Sequence, residues 1–229
     1  MTVEEATACL ADIGQEGEEA SLDEVRKAIS LLPTFFKAVT GEAGLDKKKV
    51  HAMCTKFRDA GRRSPPWKPT STRVPGRPQD GADGNRRKRW LFEPDHKFYA
   101  DERTASLVEI RFYFQALSMV GAPPLPEPLE TAFSWLTGHP IRPGEYLDPI
   151  QQITINLPDV LSDLRLIQSG HLVPLDRGGK HTPENAFLML ARSNQLQGNQ
   201  TLDELLSLME AILNRHQQLG GPQEPTVDI

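Results

Sequence analysis

The chain has 229 residues and a formal net charge of −5, with 38% hydrophobic and 25% charged residues. This composition excludes a wholly disordered chain, and the length allows one large folded unit or two small ones. No apolar run approaches the roughly 18–20 residues that span a bilayer, so a membrane helix is excluded. The start, Met1-Thr2-Val3-Glu4-Glu5, is acidic and lacks the basic region of a secretory signal. Cys9 and Cys54 are the only cysteines, too few for a four-cysteine zinc site or a disulfide framework. A cytoplasmic protein with reduced thiols is expected.

The first 46 residues read as helical and acidic, with ten acids against three bases. Helices are predicted over 3–15 and 22–39. In the second, Ser21 and Glu24 form a capping-box pattern. Leu22, Val25, Ile29, Leu32 and Phe36 recur at helical spacing. Pro33 lies inside that pattern and predicts a kink or break. A third helix is predicted from Lys47 to about Ala60.

Residues 56–89 invert the charge, with eleven bases against three acids. From Arg62 to Asn85, prolines and glycines replace aliphatic residues, which reads as a linker or long loop. Clustered Lys and Arg suit a phosphate backbone, so an arm ending in Arg86, Arg87, Lys88 and Arg89 is a candidate for nucleic-acid contact. Apolar content resumes at Trp90. Helices are predicted over 103–120, with Leu107, Ile110, Phe114, Leu117 and Val120 on one side, and over 129–136. A short strand is predicted at 153–155. The division is therefore 1–61 (acidic, helical), 62–89 (basic linker) and 90–229 (C-terminal domain).

Residues 168–200 read as strand, loop, strand, helix. The first strand ends in Gly170-His171-Leu172-Val173-Pro174. A turn follows on Gly178-Gly179 and Pro183. Asn185 opens a second apolar run, Ala186 to Leu190, and Arg192-Ser193-Asn194-Gln195 starts a short helix. Beyond it, Thr201 and Glu204 form a second capping-box pattern. Leu202, Leu205, Leu206, Met209, Ile212 and Leu213 make an apolar face, expected to pack against and hold this segment.

The order His-Leu-Val-Pro-Leu-x-Arg-Gly-Gly-Lys-His-Thr-Pro-Glu-Asn, an apolar run, then Ser-Asn-x-x-x-Gly-Asn resembles the HNH nucleases, whose motif is the ββα-metal finger. The resemblance covers about 166–200. It implies a mainly helical α+β fold with the finger in the C-terminal domain. It also implies a metal-dependent DNA endonuclease of restriction or phage-defence type. His171 matches the general base, Asn185 the residue that orients it, and Asn194 a metal ligand. An amide oxygen is a hard ligand, so magnesium is expected first and manganese second, with no structural zinc. The family commonly places a metal-binding Asp or His just before the catalytic histidine, where this chain has Gly170. Asp176 is the first candidate to replace it, ahead of Asp148 and Asp163. Arg177, Lys180 and Arg192 are candidate phosphate contacts, and His181 is a candidate for metal or phosphate contact. DNA is the expected partner, with a homodimer for double-strand cutting and room for a partner protein. The rival reading is an inactive nucleic-acid-binding or assembly subunit that keeps the finger fold, which Gly170 supports.

Overall fold

The computed structural model describes residues 2–11, 20–65, 86–125, 129 and 142–218. The fold is mainly helical α+β. Among the described residues it holds α1 (Val3–Ala11), α2 (Leu22–Glu42), α3 (Lys47–Gly61), α4 (Glu102–Leu117), α5 (Leu157–Ser162), β1 (Ile167–His171), β2 (Ala186–Leu190), α6 (Ala191–Gln197) and α7 (Leu202–Gln218).

Helix α4 is the axis. Every residue from Ala105 to Leu117 is buried, so it has no solvent face. The predicted one-sided pattern is corrected here. The polar residues that interrupt it are buried with partners. Glu109 takes Arg62 at 2.5 Å. Arg111 lies over the Phe187 ring, 4.5 Å from its centroid. The Gln115 side-chain oxygen accepts from the Leu188 backbone N–H at 2.8 Å. Helices α2 and α3 pack on α4, and α1 packs on α2. Phe36, Phe57 and Tyr113 meet edge to face at the centre, with the Phe57 and Tyr113 centroids 5.0 Å apart. Such aromatic contacts add roughly 0.5–1.5 kcal/mol each beyond the area they bury. One hydrophobic cluster runs from Ala6 to Leu188.

Both bonds of the Ser21–Glu24 capping box form at the start of α2. The helix runs through Pro33 without ending, contrary to the expected break. Buried Ile29, Leu32, Phe35 and Phe36 on either side hold it by packing, which outweighs the one backbone bond that proline removes. Helix α1 ends at Ala11, and residues 12–19 lie outside the described set. The predicted helix 129–136 lies outside it as well, apart from Leu129. So does 66–85, most of the basic linker. The two ends of that linker are tied together: the Ser64 N–H donates to the Arg87 carbonyl and the Arg89 N–H to the Arg62 carbonyl. The expected strand at 153–155 is reduced to single bridges, Leu147 with Thr154 and Val120 with Asn156.

The sheet among the described residues is the two-stranded hairpin of β1 and β2, antiparallel, with Ile167 opposite Leu190 and His171 opposite Ala186. The outer edge of β2 is closed by side chains. Gln115 takes the Leu188 N–H, and the Tyr146 hydroxyl donates to the Leu188 carbonyl at 2.5 Å. A strand edge covered in this way cannot pair with another chain. Asp148 is buried at the join of β2 and α6. It accepts from the Leu190 N–H at 2.7 Å and the Ser193 hydroxyl at 2.8 Å. Helix α7 starts with the expected Thr201–Glu204 box, yet of its apolar face only Leu205 is buried. The expectation that this face braces the hairpin is corrected. The bracing comes from α4, Tyr146 and Asp148.

Helices α3 and α4 approach closely at Gly61. A Cβ there would lie 2.6 Å from the Glu109 Cβ and 2.8 Å from its backbone N. Gly61→Ala is expected to destabilise the fold by about 1–3 kcal/mol, because α3 and α4 must separate. Urea unfolding should show a lower midpoint at unchanged slope. An unchanged midpoint would remove this contact from the account.

Candidate active site

His171 is the last residue of β1, Asn185 immediately precedes β2, and Asn194 lies on α6. The loop between the strands is held by Asn185. Its side-chain oxygen accepts from the Val173 N–H at 2.8 Å. Its amide donates to the Val173 and Lys180 carbonyls, each at 2.9 Å. The loop closes so tightly that a Cβ at Gly179 would lie 1.9 Å from the Val173 oxygen, which only glycine permits. From the other side, buried Gln197 donates to the His171 and Leu172 carbonyls at 2.9 Å. The backbone that carries His171 is thus clamped at its own carbonyl and two residues further on.

His171 Nε2 lies 2.9 Å from His181 Nδ1, and His181 Nε2 lies 2.7 Å from the Gly61 carbonyl. A carbonyl only accepts, so His181 carries its proton on Nε2. Its Nδ1 then accepts, and His171 must donate from Nε2. Neutral His171 therefore keeps a free lone pair on Nδ1, the form a general base requires. Burial, aided by the nearby Arg89 guanidinium, pushes His171 down to about 4. The same causes, with His171 itself, push His181 well below its ordinary value. Both rings are neutral at pH 7.

His171 opens onto a cleft of about 650 Å³, lined also by Lys56, Asp59, Arg63, Arg86 and Arg89. Arg89 is 3% exposed. It donates to the Gly61 carbonyl at 3.0 Å, with longer contacts to Ala60 and Phe98 at 3.4 Å. No carboxylate pairs with it among the described residues. Burial lowers its pKa to about 9, so it remains charged at neutral pH. Lys56 donates to the Leu164 and Ile167 carbonyls beside β1. Asp59 lies 3.5–3.8 Å from Arg58, Arg63 and Arg86.

The other sequence candidates are dispersed. Asp176 pairs with Lys97 at 2.5 Å and is 60% exposed at its side chain. Arg177 pairs with Glu204 at 2.6 Å. Lys180 and Arg192 are exposed. His181, expected as a phosphate contact, is 1% exposed and serves His171 instead. Lys88 lies over Trp90 and Arg87 over Phe92. Asn194 donates to the Gln168 side chain at 2.6 Å.

The described residues do not offer a divalent cation a cluster of carboxylate, imidazole or thiolate ligands. No group of three or more His, Cys, Asp or Glu among the described residues could hold one. At Gly170, where the resembled family commonly has a metal-binding side chain, any side chain would meet its neighbours. A Cβ there would lie 2.7 Å from the Met189 sulfur and 2.8 Å from the Asn194 oxygen. Asp148 is engaged by four backbone and hydroxyl donors, and Asp163 by Arg165.

Three contributors carry no local sequence signal. Gly61 and Lys56 lie more than a hundred residues before the hairpin, and Gln197 reads as an ordinary helix residue.

No family model and no curated protein matches this chain. Among solved structures it is similar to a type II restriction endonuclease, at 24% identity and a TM-score of 0.46. The match covers 53% of this chain and spans about half, 55%, of that one.

Because His171 and His181 titrate lower when folded than the ordinary 6.5, the unfolded chain protonates first as pH falls. Stability is fully present above pH 6.5 and is lost from there down toward pH 4, at up to about 1.4 kcal/mol per pH unit per histidine. Urea unfolding at intervals across this window should show the slope, and His181→Gln should flatten it. An equal slope in both proteins would assign the acid sensitivity elsewhere.

Proposed function

We propose that this protein is a DNA endonuclease that hydrolyses phosphodiester bonds at the cleft beneath His171. The reading rests on one observation above all. A neutral histidine with a defined proton and a free Nδ1 sits on a clamped ββα hairpin, beside a cleft rich in fixed cations. That constellation supplies a base for water and a counter-charge for phosphate.

In the proposed step, His171 Nδ1 takes a proton from water as the water oxygen bonds to phosphorus. The bond from phosphorus to the leaving sugar oxygen breaks, and that oxygen takes a proton from solvent. Asn185 and Gln197 hold the His171 backbone in place. His181 holds the imidazole and fixes its tautomer through Gly61. Arg86, with the exposed Arg87, Lys88, Lys180 and Arg192, would contact flanking phosphates and position the duplex. Restriction or phage defence is the biological role this chemistry fits.

Cutting both strands calls for two such sites, so the proposal includes a homodimer. Helix α7 is the face it would use. Leu206, Met209 and Leu213 are 51%, 50% and 57% exposed, and a helix of this length is marginal without a partner. Its ends are complementary, with Asp203 at the start and Arg215 near the end. An antiparallel pair crossing at Met209 would set Asp203 beside the second copy's Arg215 and exposed Leu206 beside its exposed Ile212.

A second reading is a nucleic-acid-binding subunit without activity, favoured by Gly170, where any side chain would meet its neighbours. Plasmid cleavage separates the two. Wild type should cut to discrete bands, and His171→Ala should lose at least about 10²-fold in rate. Equal cleavage by both proteins would end the assignment of His171, and a smear would point to a nuclease without sequence preference.

For the dimer, Leu206→Glu with Leu213→Glu should halve the mass seen by light scattering and leave the circular dichroism of the body intact. A wild-type monomer at high micromolar concentration would refute the α7 pairing.

A further inference from the structure

We infer that the phosphate held at this cleft is neutralised by the protein's own cations, buried Arg89 with the partly exposed Lys56 and Arg63, and not by a divalent metal. The inference rests on the nuclease reading of the same site and names what occupies the place of the metal. The first ground is charge. Four cationic side chains, Lys56, Arg63, Arg86 and Arg89, share the cleft with one carboxylate. That carboxylate, Asp59, is already shared among Arg58, Arg63 and Arg86. A dication entering here meets net positive charge, whereas a phosphate meets its complement.

The second ground is the state of Arg89. A guanidinium this deeply buried is ordinarily paired, because removing its charge from water is costly. Here three backbone carbonyls hold it by three of its five N–H groups, leaving two donors and the full charge unanswered. Lys56 is similar. Two carbonyls take two of its three protons, and the third is free. Both are fixed before any ligand arrives, so their donors need no reordering to meet one.

The third ground is the donor set. A side chain at Gly170 would run into Met189 and Asn194, and Asp176, Asp148 and Asp163 are each engaged by other groups. Arg89 also bonds the same Gly61 carbonyl that accepts from His181. Burial is the main cause that holds His171 down and the Arg89 charge the second, so an anion on Arg89 would offset the second and strengthen the base.

The test compares plasmid cleavage in EDTA with cleavage in magnesium, and measures inorganic phosphate binding in EDTA by calorimetry. Wild type, Arg89→Met and Arg63→Gln are used, with His171→Ala as control for contaminating nuclease. The expected result is equal cleavage in EDTA and magnesium, lost in His171→Ala and Arg89→Met. Arg63→Gln lies at the partly exposed rim and keeps the test valid if Arg89→Met fails to fold; it should weaken phosphate binding by about tenfold. Cleavage that needs magnesium or manganese overturns the inference and leaves the nuclease standing. Phosphate binding in EDTA that weakens in Arg63→Gln, without cleavage under either condition, upholds the cationic site and overturns the nuclease. Neither binding nor cleavage overturns both.

Discussion

The Gly61 carbonyl is the point on which the site depends. It lies at the end of α3, where the last carbonyls of a helix lack partners within the helix and carry its negative pole. Two donors meet it, His181 Nε2 and Arg89 Nε. One sets the tautomer of the histidine pair, and the other anchors a buried cation beside it. The carbonyl occupies that place because Gly61 has no side chain. With a Cβ, α3 could not approach α4 so closely. The close approach of α3 to α4 thereby fixes the proton positions of the hairpin.

The hairpin was legible in the sequence because it closes on itself. His171, Asn185 and Asn194 lie within 24 positions, and the turn residues between them state their own geometry. The rest of the cleft was not legible, because Lys56, Gly61 and Arg89 come from distant segments whose local patterns describe only helix and linker. His181 stood out as a residue, yet its role needed the carbonyl that receives its proton. Arg89 read as one of four consecutive bases, and nothing local separates the buried one from Arg87 and Lys88. Helix α4 misled for a related reason. Glu109, Arg111 and Gln115 look like a solvent face until Arg62, Phe187 and Leu188 are in place around them.

Neighbouring parts of the hairpin carry different chemistry. Beside Gly170 lie the Met189 thioether and the Asn194 amide, which offer no charge. In the cleft of His171, charge is abundant and positive. Where positive charge resides decides how a phosphodiester hydrolase is assembled. A metal brings it as a mobile ion that carboxylates must hold. Side-chain cations bring it already fixed, at the cost of burying them unpaired. Arg89 bears that cost here, and the carbonyls of α3 and Phe98 offset part of it.

That choice also bears on the base. A histidine pushed to about 4 by burial and Arg89 is always unprotonated at pH 7, but it is a weak base while the cleft is empty. In the proposed hydrolysis, an anion against Arg89 would remove one of the two causes and leave burial, so basicity would rise when a phosphate is in place. The empty and the occupied cleft would then differ in the strength of the same imidazole. The neutral form waits at no cost in protonation, and the driving force for taking a proton from water appears where the water has a phosphorus to attack. The fixed cation and the fixed tautomer act as one device because both end on the same carbonyl oxygen.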